Sequence, residues 1–183
     1  MTTLLEQTMP VYHFHEVHNR HVNAGPEQVW AALTTLSLDQ LAVTKPLVAV
    51  RHLGRAPAPT RPLFTDGPVQ MLDVDCPRYA IGGTVAQPWR LRSRRQPVGS
   101  LAEFAAFDEP GWTKYLTDFS LEPCEGGVLL STETRGYSTN QAARWRFAAY
   151  WTLIRVPSGI VRRDLLATVA RSSERAVAPV PAH

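Results

Sequence analysis

The stretch that most constrains the fold is the last long one, residues 140–175, in which apolar side chains recur at helical spacing. Residues 138–140 offer hydroxyl and amide groups that can cap the start of a helix. The apolar face is formed at three- and four-residue intervals by Phe147, Tyr150, Trp151 and Ile154. Because Pro157 lacks a backbone donor, the helix should kink or break near Val156. The aromatic face either belongs to a solid core or closes a cavity against a sheet.

The length of 183 residues favours a single domain with a sizeable core, which needs neither disulfides nor metals. We expect a flexible, polar N-terminal arm over residues 1–10, one domain over 11–175 and a disordered tail over 176–183. Cys76 and Cys124 lack metal-ligand spacing and do not require an oxidising compartment. The N-terminus has no basic start or apolar run typical of a signal peptide, so the sequence predicts a cytoplasmic protein without stable membrane insertion.

The net charge is +3, and the basic residues are almost all arginines. The dense basic cluster comprises Arg90, Arg92, Arg94 and Arg95. Only Trp89 accompanies it as an aromatic neighbour, and no nucleic-acid motif surrounds it. The cluster therefore predicts a solvated loop, and we expect no nucleic-acid partner.

Most of the chain before the last helix is predicted to be β-structure. A first strand over residues 12–22 leads through Pro26 into a helix with Val29, Trp30 and Leu33 on its apolar side. A second short helix is predicted over 38–43, and the proline-rich residues 54–62 predict a loop. Further strands are predicted over 69–75, 78–87, 101–107, 112–121 and 128–137. Short turns between them favour an antiparallel meander.

The phrase VNAGPEQVWAAL at residues 22–33, the segment 131–135 and the motif at 158–163 resemble the START-like (SRPBCC) superfamily, in particular an uncharacterised bacterial subgroup. The resemblance spans residues 12–175. It implies an α+β helix-grip fold: a curved antiparallel sheet wrapped around a long C-terminal helix, with two short helices after the first strand. It also implies a pocket between sheet and helix, since members bind lipids, sterols or polyketides and some are cyclases, aromatases or hydrolases.

Charged side chains on the first and last strands suggest a polar site. Alternation places Glu16, His18 and Arg20 on one face of the first strand, and the apolar residues that flank them favour the inward direction. Glu133 and Arg135 share a face of the last strand, which the resemblance places beside the first. If both faces point inward, these side chains form one paired network in the cavity. The alternative is an exposed ladder of ion pairs, since a shift of one residue reverses every side chain.

The function that the resemblance implies is binding of a small or medium hydrophobic molecule, lipid, polyketide-like or aromatic, between the sheet and the C-terminal helix. The candidate walls are Trp30, Phe147, Tyr150, Trp151 and Ile154. Arg135 is the candidate anchor for a ligand oxygen, and His18 with Glu16 is expected to orient that ligand. A cyclase or dehydratase that uses His18 or Glu133 as its acid/base is the first alternative.

The second alternative is an interaction module without a ligand, with dimerisation through an exposed sheet face as its signature. The histidines at positions 13, 15, 18 and 21 are spread too far along one strand to close around a single zinc ion. We therefore expect neither a metal nor another cofactor.

Overall fold

The computed structural model describes residues 3–46, 60–67, 69–90 and 92–177. Residues 54–59 of the predicted loop and 178–183 of the predicted tail lie outside these residues. The helices are α1 (Leu4–Thr8), α2 (Pro26–Thr35), a 3₁₀ helix (Leu38–Gln40), α3 (Leu63–Asp66), α4 (Leu101–Ala106) and α5 (Gln141–Val177). The strands are β1 (Phe14–Val22), β2 (Gln70–Asp75), β3 (Tyr79–Gln87), β4 (Arg94–Gln96), β5 (Thr113–Cys124) and β6 (Gly127–Ser138).

The strands form one curved antiparallel sheet in the order β1-β6-β5-β3-β2, with β4 paired to β3. The predicted meander and the predicted pairing of the first strand with the last are confirmed. Helix α5 packs against the inner face of the sheet and against α2. The molecule is therefore an α+β helix-grip fold, as the sequence predicts.

The inner core lies between the sheet, α2 and α5. Its buried side chains include those that the sequence places on the apolar side of α2, namely Val29, Trp30 and Leu33. Pro26 begins α2 as expected, at a position where its missing donor costs no hydrogen bond. This core joins the two ends of the domain, because Val22 of β1 and Val169 of α5 are both fully buried in it.

A second core, which the sequence patterns did not predict, covers the outer face of the sheet. Leu5 and Met9 of the N-terminal segment are buried there beside Leu116 of β5. The segment expected to be a flexible arm instead forms α1, whose N-terminus is held by a reciprocal capping box between Thr3 and Glu6. The burial of Leu5 and Met9 explains the difference, because removing these apolar side chains from water stabilises the attachment of the segment to the sheet.

The strand predicted over residues 101–107 is wrong, because the chain forms helix α4 there. Ser100 accepts a hydrogen bond from the Glu103 N–H (3.1 Å) and caps the helix. Leu101, Phe104 and Phe107 recur at a spacing of three, which is helical, and Phe104 packs into the outer core.

Helix α5 continues through Pro157, so of the predicted kink or break near Val156 the break is wrong, and the kink stays a prediction. Proline removes one bond to the carbonyl of Leu153, but that residue is exposed and its carbonyl can be solvated. The predicted cap is confirmed, since the Ala143 N–H donates to Asn140 Oδ1 (2.9 Å). The arginine cluster is exposed as predicted, although Arg94 and Arg95 belong to β4 rather than to a loop.

Candidate functional site

A cavity of about 260 Å³ lies between the inner face of the sheet and the second half of α5. Its wall is mostly apolar. The α5 residues that line it are Ser158, Val161, Arg162 and Leu165. The sheet and the segments around α2 and α3 supply Leu33, Leu36, Leu38, Leu41, Thr44, Leu63, Phe64, Val69, Met71, Thr117, Phe119 and Thr132.

The threonine hydroxyls of the wall already have partners in the protein. Thr117 Oγ1 lies 2.8 Å from the hydroxyl of Thr134, and Thr132 donates to the Asp118 carbonyl (2.8 Å). Thr44 donates to Asp164 Oδ2 (2.9 Å). Because these hydroxyls already form hydrogen bonds within the protein, an apolar ligand can lie against them without leaving a buried polar group unpaired.

Arg162 is the charged residue of the cavity wall, and its guanidinium is incompletely paired. Its Nε is buried, and the Glu16 carboxylate, at 3.5 Å, is beyond ordinary hydrogen-bond length. Burial lowers the pKa of Arg162, and the nearby Glu16 carboxylate opposes that shift. A buried donor without a close acceptor costs free energy that an acceptor on a ligand would recover.

Glu16 is the centre of a polar cluster at the edge of this cavity. Its Oε1 lies 2.7 Å from His18 Nε2, and its Oε2 accepts from the Ser158 hydroxyl at 3.3 Å. Gly159 lets β1 and α5 approach here, because a Cβ at that position would lie 3.2 Å from Glu16 Oε1. The cluster Glu16, His18, Ser158 and Arg162 therefore links β1 to α5.

An open groove of about 500 Å³ lies on the other side of the cluster, between β1 and α5. Its lining residues are His15, Glu16, Val17, His18, Arg155, Val156, Gly159, Ile160 and Arg163. Glu16 and His18 face this groove, whereas Ser158 and Arg162 face the cavity. The polar cluster is thus the partition between the two spaces.

The predicted single network is wrong for Glu133 and Arg135, which lie on the opposite face of the sheet. The register pairs Val17 with Glu133 and His15 with Arg135, so these residues share the outer face. The odd-numbered positions of β1 face outward, and the even-numbered Glu16 and His18 face inward. The sheet therefore separates the charged residues that were predicted to form one network into two clusters.

Arg135 instead anchors α1 to the outer face. It donates from Nε to Glu133 Oε1 (2.7 Å) and from Nη1 to the Met9 carbonyl (3.1 Å). His15 Nε2 lies 2.9 Å from the same oxygen of Glu133, and the ring of Tyr12 stacks 4.8 Å from the guanidinium. The side chain predicted to anchor a ligand is thus occupied by protein groups.

The five residues predicted as walls do not line the cavity. Phe147 is fully buried and packs edge-on against Phe14 and Tyr115 at ring distances of 4.3 and 5.2 Å. Tyr150 and Trp151 contact the same ring, and Trp30 packs on Phe64 in the inner core. Ile154 is partly buried on the same helix, and Arg20 of β1 is exposed. The first half of the α5 face is thus packed solid, and the cavity lies along the second half.

The sequence carries a signal for the cavity in its helical and strand periodicity. Positions 158, 161, 162 and 165 follow the spacing of one helical face, and Thr117 and Phe119 alternate onto one face of β5. The aromatic residues predicted as cavity walls lie in the first half of the helix. Aromatic rings fill space well, so they mark the packed part of the helix rather than the void.

The described residues contain neither a membrane-spanning helix nor a metal-binding group of side chains. No helix there is long and apolar enough to cross a bilayer. Within the same ranges, no group of three or more His, Cys, Asp or Glu side chains is arranged to hold a metal ion.

Asp118, on the outer face beside Glu133, makes a testable contribution to pH dependence. Burial raises its pKa to about 6, and the Glu133 carboxylate acts in the same direction, whereas the Glu133 N–H and Arg135 oppose it. The unfolded value is about 4, so the native state binds the extra proton between pH 4 and 6. The contribution of Asp118 to stability therefore falls as pH rises through this window.

We expect Asp118→Asn to exceed the wild type in free energy of unfolding by about 1–2 kcal/mol at pH 8, with the gain disappearing near pH 4. The amide oxygen still accepts from the Glu133 N–H, which now donates to Asp118 Oδ1 at 2.8 Å. Urea unfolding at both pH values measures the effect. Glu122→Gln, an exposed carboxylate on the same strand, is the control. A difference that does not change with pH would contradict the assignment.

No protein-family model and no curated protein matches the sequence. Among solved structures, a Rhodobacter sphaeroides protein is 17% identical to this chain with a TM-score of 0.43. The matched region covers 86% of this chain and 92% of that protein's chain. A Chromobacterium violaceum protein is 14% identical (TM-score 0.41; 87% of this chain, 96% of its own). CalU16 from Micromonospora echinospora is 11% identical (TM-score 0.35; 88% and 84%). Similarities this remote say nothing about the function of the chain.

Proposed function

We propose that this protein binds a small hydrophobic molecule with one polar end in the cavity between the sheet and α5. The observation that carries the proposal is an apolar cavity with a buried, incompletely paired guanidinium, Arg162, in its wall. Apolar surface removed from water supplies the driving force, and one directed polar contact fixes orientation. The suggested membership of the START-like superfamily agrees with this function and is part of the same proposal.

The volume limits the size of the ligand. A cavity of 150 Å³ accommodates benzene, and pockets for drug-sized molecules begin at roughly 300 Å³. At about 260 Å³, the cavity suits a one- or two-ring aromatic or a branched aliphatic molecule of roughly 10–15 heavy atoms. A sterol or a long acyl chain would require the cavity to expand.

The polar end of the ligand should be an oxygen acceptor, such as a carboxylate, a phenolate or a ketone. Arg162 offers it planar, bidentate donors, and the Ser158 hydroxyl lies on the same helix face. Glu16 and His18 stay as the predicted orienting residues, since Glu16 contacts both Ser158 and Arg162. For the alternative of a cyclase or dehydratase, His18 beside Glu16 is the acid/base candidate that remains on the inner face of the sheet. Because His18 lines the groove, that reaction would take place on the groove side of the polar cluster.

The test is native mass spectrometry of fresh protein, followed by titration with a panel of small aromatic acids, phenols, fatty acids and sterols. We expect uptake of small aromatic or branched ligands, and Val161→Phe should weaken that uptake at least tenfold because the added ring fills the void. Val74→Phe, the same change at an exposed site on β2, is the matched control. Arg162→Gln should weaken binding of acidic ligands more than that of neutral ones.

Two results would count against the proposal. One is the absence of any uptake together with no mass excess in the freshly purified protein. The other is equal uptake by Val161→Phe and the wild type, because the ligand would then lie elsewhere. Thermal unfolding of each variant verifies that the fold is intact, and a bound ligand should raise the wild-type melting temperature.

A further inference from the structure

The outer face of α5 carries an apolar stripe that is exposed to solvent. Trp145, Leu153 and Val156 are 69%, 78% and 70% exposed, the highest values among the exposed large apolar side chains. Ile160 extends the row towards the groove, and Ala149 fills the gap between Trp145 and Leu153. At 3.6 residues per turn, these positions fall within an arc of about 80°. They therefore form one continuous surface, which we call the α5 stripe.

The stripe lies opposite the buried face of the same helix. Phe147 and Ile154 point to the sheet, roughly 180° around the helix from Val156. A helix that is apolar on both sides is normally covered on both sides. An exposed apolar surface of this kind indicates an interaction site.

The charges that α5 itself places around the stripe all have one sign. No acidic residue occurs in residues 141–163, and the exposed arginines of this segment are Arg144, Arg146, Arg155 and Arg163. Among the described residues, none of these four guanidiniums forms an ion pair with a carboxylate. The surface is thus apolar in the middle and positively charged at its margins.

We propose that the α5 stripe docks this protein onto the surface of an anionic lipid bilayer, with α5 lying in the plane of the interface. Tryptophan with aliphatic side chains on one arc and arginines beside them is the pattern of helices that bind at the headgroup boundary. The arginines supply attraction to anionic headgroups, and the stripe supplies the buried apolar area. This inference goes beyond ligand binding in the cavity and does not depend on it.

A second copy of the chain fits this surface poorly. In a two-fold dimer the same patch meets itself, so four arginines of one protomer would face four of the other without an acidic partner in this segment. The groove beside the stripe supports a lipid surface instead. Arg155 and Arg163 line it together with Val156 and Ile160, so a phosphate and the upper part of an acyl chain both find matching groups. The carboxylate in this lining, Glu16, already contacts His18 and Arg162.

The experiment is vesicle flotation of the full chain. Vesicles of pure phosphatidylcholine are compared with phosphatidylcholine containing 30% phosphatidylglycerol, at low and high salt. We expect binding to the anionic vesicles that weakens as salt rises, and little binding to the neutral ones. Wild-type protein that fails to bind the anionic vesicles at low salt would overturn the proposal.

Paired variants locate the surface. Arg146→Gln with Arg155→Gln should weaken binding roughly 30-fold, because each arginine near a charged bilayer contributes about fivefold. Arg90→Gln with Arg95→Gln makes the same change of charge in the exposed cluster near β4 and should change binding less than threefold. Equal losses in both pairs would mean that only net charge matters, and would overturn the assignment to α5.

A third variant tests the apolar part. Leu153→Gln with Val156→Gln should weaken binding at least tenfold while leaving the melting temperature unchanged, because both side chains are exposed. Light scattering in the absence of lipid measures the oligomeric state and so tests whether a second copy of the chain covers the stripe. A wild-type dimer that dissociates in this variant would show that a second copy covers the stripe, and would also overturn the proposal.

Discussion

Replacing Phe147 by alanine is expected to lower the free energy of unfolding by about 4 kcal/mol, the upper part of the range for large-to-small substitutions in a core. The ring is fully buried. It contacts Phe14 and Tyr115 from the sheet and Tyr150 and Trp151 from its own helix. Removing it leaves a void among aromatic rings that are fixed to the sheet on one side and to α5 on the other. The surrounding side chains therefore cannot move in to fill the space.

Trp145→Ala is the matched control for this loss. It removes a larger aromatic side chain from the same helix, two positions away, but the side chain is exposed. We expect a change below about 0.5 kcal/mol. Urea unfolding followed by circular dichroism measures both variants. A Phe147→Ala protein of nearly wild-type stability that has lost ligand uptake would instead restore Phe147 as a cavity wall.

The local part of the fold was predictable because it depends on short-range patterns. Pro26 and the spacing of Val29, Trp30 and Leu33 identify α2, and the turns between apolar runs identify β2, β3, β5 and β6. The signal for α4 was also present, since Ser100 followed by Glu103 is a capping signature and the phenylalanines are three apart. The segment lies between strands and is short, so its few apolar residues fit the period of a strand as well as that of a helix.

The site was less predictable because it depends on register. Charges at positions 16 and 18 in β1 and at 133 and 135 in β6 suggest a common network whichever way the strands are paired. The observed register places even-numbered positions of β1 opposite even-numbered positions of β6, so Glu16 faces Thr134. Nothing in the charge pattern alone specifies this pairing, since a shift by one residue would be equally compatible with it.

Burial of Arg135 shows how the second core changes the interpretation. An arginine on the outer face of a single sheet would be exposed, and its ion pair with Glu133 would contribute little. Helix α1 covers this face and supplies the Met9 carbonyl, so the guanidinium becomes a buried structural group. The prediction of a flexible arm thus concealed the role of Arg135 as well.

Asp164→Ala is expected to lower the free energy of unfolding by about 3 kcal/mol and to loosen one wall of the cavity. A single oxygen, Oδ2, accepts from the Val43 N–H (3.0 Å), the Thr44 N–H (2.9 Å) and the Thr44 hydroxyl (2.9 Å). Alanine removes three charge-assisted hydrogen bonds and strands the buried donors of Thr44. Thr44 lines the cavity, so ligand uptake should weaken as well.

Two variants separate this role from a general effect of charge on α5. Asp164→Asn keeps an oxygen acceptor of the same shape and should cost less than half as much as alanine. Glu174→Ala removes a carboxylate of the same helix that accepts from the Asn23 N–H (3.1 Å) at an exposed site, and should cost below about 1 kcal/mol. Hydrogen exchange at the amides of Val43 and Thr44 provides the local measurement. Since Asp164 ties these amides to α5, faster exchange in Asp164→Ala alone identifies it as the residue that holds this wall closed, whereas unchanged exchange would contradict that role.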